Sequence, residues 1–168
     1  PFDYLQRRHE IEARKLLVFT GPIDEFFGHD LGKLGYRGQR REHSYLPDVD
    51  MVQPCGQVNN PDPTTGPHIR TLEWKHMMPA EEIGKIKGTV LTRETTYSPD
   101  DPNHQEYPFP DKANDVLYQR YRARAEQVPN LLVCGRLGEY RYYDMDQAIG
   151  RAMMLARKIL AQQEVEVA

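Results

Sequence analysis

The sequence predicts a mixed α/β (α+β) fold, with an antiparallel sheet inserted into part of an α/β layer. Three observations predict it. Two short, continuous apolar runs, Lys15–Thr20 and Leu131–Cys134, read as strands covered on both faces, as in a parallel layer. Between them lie segments rich in β-branched residues, above all Gly88–Tyr97, which read as antiparallel strands. The chain closes on a stretch from Gln147 to Leu160 with apolar residues at helical spacing. Residues 1–32 and 111–168 are then pieces of the α/β layer, and residues 33–110 carry the antiparallel sheet.

In chain order, residues 1–14 are charged, with Tyr4, Leu5 and Ile11 as sparse apolar points, and read as a helix end or linker. Gly21-Pro22 stops the first strand. Ile23–Phe27 suits one helical turn, and Gly28, Gly32 and Gly35 make a loop. Tyr36–Tyr45 is polar but extended, an exposed antiparallel strand whose Arg37–Arg41 cluster reads as a solvated face. Val49–Val58 is a weak strand broken by Pro54 and Gly56. Asn59–Pro67 is a loop. Along Ile69–His76, alternation sets Arg70, Leu72 and Trp74 on one face and Thr71, Glu73 and Lys75 on the other. A charge on an apolar face needs a partner or a cleft, and spacing alone leaves both open for Arg70. Ala80–Ile83 suits a helical turn, and in Gly88–Tyr97 Glu94 shares a face with Val90 and Thr92. Ser98–Pro110 is a proline-rich loop. Asp111 caps a helix running to about Gln127, with Ala113, Val116, Leu117, Tyr121 and Ala125 as its apolar side, and Val128-Pro129 ends it. In the last helix Ile149, Ala152, Met153, Ala156, Ile159 and Leu160 read as core, and Gln162–Ala168 as a frayed tail.

The bulk properties exclude several functions. The 168 residues allow one domain or two small ones, and a net charge of -3 gives no broad basic face for nucleic acid or an anionic membrane. Cys55 and Cys134 form neither a disulfide framework nor a metal motif, which suits a reducing, cytoplasmic setting. Cys134, in the apolar run, reads as a small buried hydrophobe. His68 and His76 lack a third ligand at metal spacing. No stretch has the length of a membrane span and no signal peptide opens the chain. No Gly-x-Gly-x-x-Gly follows a strand, and the chain starts at Pro1 without a methionine. The expectation is the C-terminal part of a longer protein, whose N-terminal half is its first partner; a homodimer is left open.

The candidate site lies at Gly135-Arg-Leu-Gly-Glu-Tyr-Arg-Tyr-Tyr-Asp-Met-Asp-Gln147. A strand, a glycine turn, an aromatic loop and a helix N-terminus in that order present backbone N–H groups and a partial positive charge to an anion. Arg136 adds a fixed charge, Tyr140, Tyr142 and Tyr143 add rings with hydroxyls, and Asp144 or Asp146 can cap the helix.

This stretch resembles the C-terminal signature of the UDP-galactopyranose mutase family. The resemblance continues through Thr20-Gly-Pro-Ile-Asp-Glu-Phe-Phe27, Gly32-Lys-Leu-Gly-Tyr-Arg37, His68-Ile-Arg-Thr-Leu-Glu-Trp-Lys-His76 and Thr92-Arg-Glu94, in the family's order, over residues 15–160. It implies a substrate domain inserted into a Rossmann-like FAD-binding domain. It also implies the conversion of UDP-galactopyranose to UDP-galactofuranose through an adduct between the sugar and N5 of reduced FAD. The resemblance assigns catalysis to Arg136, Glu94 and Asp144 and substrate binding to Arg70 and Tyr142. Gly135, Arg136, Asp144, Met145 and Gln147 fall to the cofactor. One segment departs from the family: the usual Tyr-Tyr-Pro, whose second tyrosine reaches the diphosphate, falls at Pro108-Phe109-Pro110, placing Phe109, without a hydroxyl, in the substrate position.

Taken without the family, the same residues have plainer readings. Arg136 pairs with Glu139, Asp144 caps the helix, Glu94 is a strand-face carboxylate, and Tyr140 and Tyr143 pack. Two other functions fit parts of the pattern: an amine-oxidase-like FAD oxidoreductase, which shares the glycine–arginine junction, and an inactive sugar-nucleotide-binding module.

Overall fold

The computed structural model describes residues 3–167, and side chains as far as Ala161; Pro1, Phe2 and Ala168 lie outside it. The chain starts with a helical turn α1 (Tyr4–Arg7), strand β1 (Leu17–Phe19) and a second turn α2 (Ile23–Phe26). Strands β2 (Tyr36–Leu46), β3 (Gln57–Asn59) and β4 (Arg70–Glu73) follow, then the turn α3 (Ala80–Ile83) and strand β5 (Thr89–Tyr97). The last part holds β6 (Tyr107–Pro108), helix α4 (Lys112–Ala125), β7 (Leu131–Val133), the turn α5 (Gly135–Gly138) and helix α6 (Met145–Val167). Two compact units result, one from 1–36 with 100–168 and the other from 37–99. The fold is thus mixed, with a parallel pair in one unit and an antiparallel sheet in the other.

In the first unit the two apolar runs pair as expected. β1 and β7 lie parallel, with Leu17 opposite Leu131 and Phe19 opposite Val133. Asp111 caps α4 through its carboxylate, which accepts the Asn114 N–H at 2.8 Å. The core is Ile23, Leu34, Tyr36, Tyr121 and Ala125, with Leu117, Tyr118, Leu131 and Val133 packed against it. On α4 the covered stripe therefore includes Tyr118, while Ala113 and Val116 of the expected apolar side are exposed. A helix side chain lies over the turn before its own Cα, so the covered stripe leans away from the one that spacing draws.

Asp24 organises this core. Its carboxylate is only 1% exposed. It accepts the Leu34 N–H at 2.9 Å and the Tyr36 hydroxyl at 3.1 Å, and His29 Nδ1 lies 3.1 Å away. Burial, with Asp24 beside it, pushes the Tyr36 hydroxyl far up, which keeps it a donor.

The second unit is a four-stranded antiparallel arrangement in the order β3-β4-β5-β2. The expected strand Val49–Val58 shrinks to β3, because Pro54 and Gly56 interrupt the ladder. The strand expected over Ile69–His76 ends at Glu73, and Trp74–Met77 forms a 3-10 turn. Glu73 and Lys75 are buried, whereas Trp74 is partly exposed. Glu73 accepts the Gln53 N–H at 2.7 Å, the Val52 N–H at 2.9 Å and the Thr89 hydroxyl at 2.7 Å. Burial alone would raise its pKa, but these bonds and the neighbouring His76 hold it below the usual carboxylate range. Lys75 Nζ donates to Asp50 at 2.5 Å and to the carbonyls of Ile86 at 2.8 Å and Gly88 at 3.1 Å. Gly88 itself has φ +72°, and a Cβ there would stand 2.5 Å from the Leu46 carbonyl.

Helix α6 differs from expectation at both ends and along its face. It starts at Met145 and stays helical to Val167, where a frayed tail was expected; Gln162-Gln-Glu-Val-Glu holds no glycine or proline to stop it. The stripe expected as core is largely open: Ile149, Ala152, Met153, Ala156 and Leu160 are exposed, and Leu155 and Ile159 are only half-buried. No described element covers that face. Cys134 is half-buried, and burial raises its thiol pKa.

Two stability outcomes follow from the buried carboxylates. Asp24→Ala strands the Leu34 and Tyr36 donors and is expected to cost about 3 kcal/mol in urea denaturation. Glu73→Gln is expected to cost about 1–3 kcal/mol near neutral pH. Because the folded-state pKa of Glu73 is depressed, its contribution is present above the unfolded value of about 4.3 and lost as pH falls through the folded value. The gap between wild type and Glu73→Gln should close over that acid range; a constant gap would show that the charge of Glu73 is not the source.

Candidate functional site

The second unit places one charged row across three strands. Arg70 on β4 stands directly opposite Glu94 on β5, and Arg41 on β2 stands opposite Glu94 from the other side. Glu94 is 3% exposed. Arg41 Nε donates to Glu94 Oε1 at 3.0 Å, and Arg70 Nε donates to Oε2. The arginine on the apolar strand face thus has its partner, and the carboxylate is fully engaged. Arg41 is exposed, as expected of a solvated face, and it also reaches the buried Glu94, because β2 pairs with β5 in the register that aligns them. On the same face, Thr92 Oγ1 lies 2.6 Å from Trp74 Nε1 and 2.7 Å from His43 Nδ1.

The first unit holds the glycine–arginine junction. Gly135 takes φ +83°, a conformation that suits glycine, and lets the chain leave β7 into α5. Arg136 on α5 lies with its guanidinium 4.8 Å from the Tyr107 ring and 5.4 Å from the Tyr142 ring. Those two rings stack with centroids 5.5 Å apart. Arg136 Nη2 also donates to the Tyr143 carbonyl at 2.5 Å. The expected pairing with Glu139 does not form. Glu139 accepts Arg151 Nε at 2.7 Å and the Tyr143 hydroxyl at 3.2 Å. Among the described residues no carboxylate pairs with Arg136, so its charge is held in place and left uncancelled.

At the start of α6, the Gln147 side chain accepts the Asp144 N–H at 3.1 Å, while the Asp144 carbonyl accepts the Ala148 N–H at 2.9 Å. This is the back-reaching half of a capping box. It leaves the Asp144 carboxylate on the exposed surface, and Met145 is 82% exposed. The first-turn N–H groups of α6 have no intrahelical acceptor.

Phe109 is held through its backbone. Its N–H donates to the Gly35 carbonyl at 2.9 Å, and its carbonyl accepts the Tyr140 hydroxyl at 2.8 Å. The ring beside Arg136 belongs to Tyr107. A signal for it existed in the sequence: matching the family's Tyr-Tyr-Pro to Glu106-Tyr107-Pro108 retains both the second tyrosine and the proline. Arg41 had no such signal, because strand register is not readable from a polar segment. Tyr140 packs as expected, stacked on Tyr118 and bonded to Gly35, and Tyr143 is buried. No group of three His, Cys, Asp or Glu side chains suited to a metal occurs among the described residues.

A family profile described as UDP-galactopyranose mutase matches residues 1–142. The chain is 34% identical over 141 residues to dTDP-fucopyranose mutase of Escherichia coli, covering 84% of this chain and 36% of that protein. It is 33% identical over 151 residues to UDP-galactopyranose mutase of Mycoplasma pneumoniae, covering 87% of this chain and 36% of that protein. The chain therefore spans little more than a third of the length of these curated relatives.

The aromatic clamp on Arg136 is testable by itself. Tyr107→Phe retains the ring and should leave thermal stability nearly unchanged. Tyr107→Ala removes both the ring stack and the cation–π contact and should cost about 1 kcal/mol or more. Equal melting temperatures for the two variants would show that the ring does not hold the guanidinium.

Proposed function

The chain belongs to the UDP-galactopyranose mutase family, and from that premise we propose that it carries part of the site of a flavin-dependent mutase. The reaction interconverts the pyranose and furanose forms of a nucleoside diphosphate sugar. UDP-galactose is the proposed substrate, and the likeness to a dTDP-fucopyranose mutase supports the wider class of nucleoside diphosphate hexoses. A cytoplasmic setting is part of the proposal, supported by two unpaired cysteines, one of them exposed. No described helix is long and apolar enough to cross a membrane.

The observation that carries the proposal is the uncancelled charge of Arg136. A diphosphate that departs from the anomeric carbon and later returns needs a cation fixed in advance. Tyr107, Tyr142 and the Tyr143 carbonyl hold the Arg136 guanidinium in place. Arg70 supplies the second cation of the proposal, and the exposed Tyr142 hydroxyl a neutral donor. Glu94, with both oxygens held by arginines, serves the proposal by fixing Arg70. Asp144, exposed at the α6 start, is the group of the proposal that accepts or returns a proton at the sugar.

The residues present fit one edge of a flavin site. They offer the first-turn N–H groups of α6, the exposed Met145 and Gln147 beside them, and Gly135, which presents no side chain. Gly135, Arg136, Asp144, Met145 and Gln147 would hold the cofactor. Reduced FAD, when bound, supplies the nucleophile for the anomeric carbon. The chain's own residues bind the diphosphate, neutralise its developing charge and manage protons.

In the intact gene product, Arg136→Ala and Arg70→Ala should each weaken UDP binding by about 1.5–3 kcal/mol, measured by titration calorimetry. Unchanged affinity would remove the residue from the diphosphate site. The same protein should show a bound-flavin spectrum and, once reduced, convert pyranose to furanose. Flavin reduction by an amine would favour the oxidoreductase instead, and no flavin at all would favour the binding module.

A further inference from the structure

Arg41 belongs to no expected site, yet it occupies one of the two oxygens of a carboxylate that is almost wholly removed from water. The geometry points to Arg41 as a positioning residue: by occupying Glu94 Oε1 it keeps Arg70 on the other oxygen and leaves the Nη groups of Arg70 uncommitted. This inference rests on the reading of Arg70 as a diphosphate ligand.

A carboxylate facing one guanidinium closes a bidentate pair, with both oxygens on one arginine. Here each oxygen of Glu94 takes the Nε of a different arginine, from the strands on either side. Arg70 uses Nε, and its Nη groups make no hydrogen bond among the described residues. They form the edge that can meet an anion. The side chain of Arg70 is 28% exposed, so that edge is not sealed in the sheet.

Without Arg41, Glu94 Oε1 loses its cation in a buried place, where an unanswered charge is costly. The nearest relief is rotation onto Arg70, which would then spend Nε and an Nη on the carboxylate. Arg70 would lose donors for phosphate. Arg41 thus acts on ligand binding through Glu94 rather than by touch.

The test uses the intact gene product and UDP as the probe, read by titration calorimetry without turnover. Arg41→Met should weaken UDP binding about tenfold, the effect of losing one charged hydrogen bond. Arg41→Lys restores the cation and should return affinity to within about threefold of wild type. In a Glu94→Gln background the side chain no longer captures Arg70 as a charge, and Arg41→Met should then change affinity by less than about twofold. If Arg41→Met lowers only the melting temperature and leaves UDP affinity unchanged, the positioning role is overturned. An equal loss in both backgrounds overturns it too, because Arg41 would then act directly. Arg70→Ala is measured beside them: its failure to weaken UDP binding would overturn the underlying reading, whereas its success with an unaffected Arg41→Met overturns this inference alone.

Discussion

A carboxylate taken out of water must be answered by donors, and that constraint shapes both units of this chain. Asp24, Glu73 and Glu94 are all nearly inaccessible. Two are answered mainly by uncharged groups. Asp24 takes the Leu34 N–H and the Tyr36 hydroxyl, which ties the loop after α2 to the start of β2. Glu73 takes two N–H groups of the 52–53 loop and the Thr89 hydroxyl, fixing that loop to the sheet. Such bonds stabilise a fold and leave no charge to spare for a ligand. Glu94 is answered by two guanidinium groups. Arg70 meets it through Nε, and its Nη groups make no hydrogen bond among the described residues, the part of the arrangement that suits an anionic ligand.

The same physics decides what the sequence could show. Strands β1, β5 and β7 were legible because apolar runs and β-branched residues act locally. Alternation correctly put Arg70 and Leu72 on one side of β4 and Glu73 on the other. It could not say which side is covered, because a carboxylate with three donors and a lysine with three acceptors can be buried like apolar residues. The α5 turn was hidden by its length, since four residues leave no periodic trace. The glycine–arginine junction at Arg136 was legible as a turn out of a strand. Its clamp was not, because Tyr107 lies far from it in sequence and was passed over for Phe109. Arg41 is exposed as read, but its bond to Glu94 was not legible, because a run of arginines on a polar strand looks the same whether or not a partner strand brings a carboxylate opposite it.

Helix α6 shows the converse case, a local pattern read correctly and a burial read wrongly. Its apolar residues do recur at helical spacing, but most of that stripe is exposed. Hydrophobic spacing predicts that a face wants cover, and cover depends on what else the layer contains. A two-stranded parallel sheet offers little of it. Met145 and Ile149, at the end of the helix beside the aromatic loop, are the most open of these side chains. A stripe of that width fits a layer wider than the two strands described.

Charge also separates the candidate reactions. A protonated amine approaching Arg136 would meet a like charge that no described carboxylate offsets, and bringing it close would cost energy in a partly desolvated site. A diphosphate meets the opposite situation. It gains from Arg136 before the bond to the sugar breaks and gains more afterwards, as negative charge gathers on the leaving oxygen. In the proposed function the tyrosine rings on Arg136 would serve that difference, because they hold a cation without neutralising it. Pairing with Glu139 would have placed the guanidinium as firmly and removed the charge. Arg151 takes Glu139 instead, and so keeps Arg136 available for an anion.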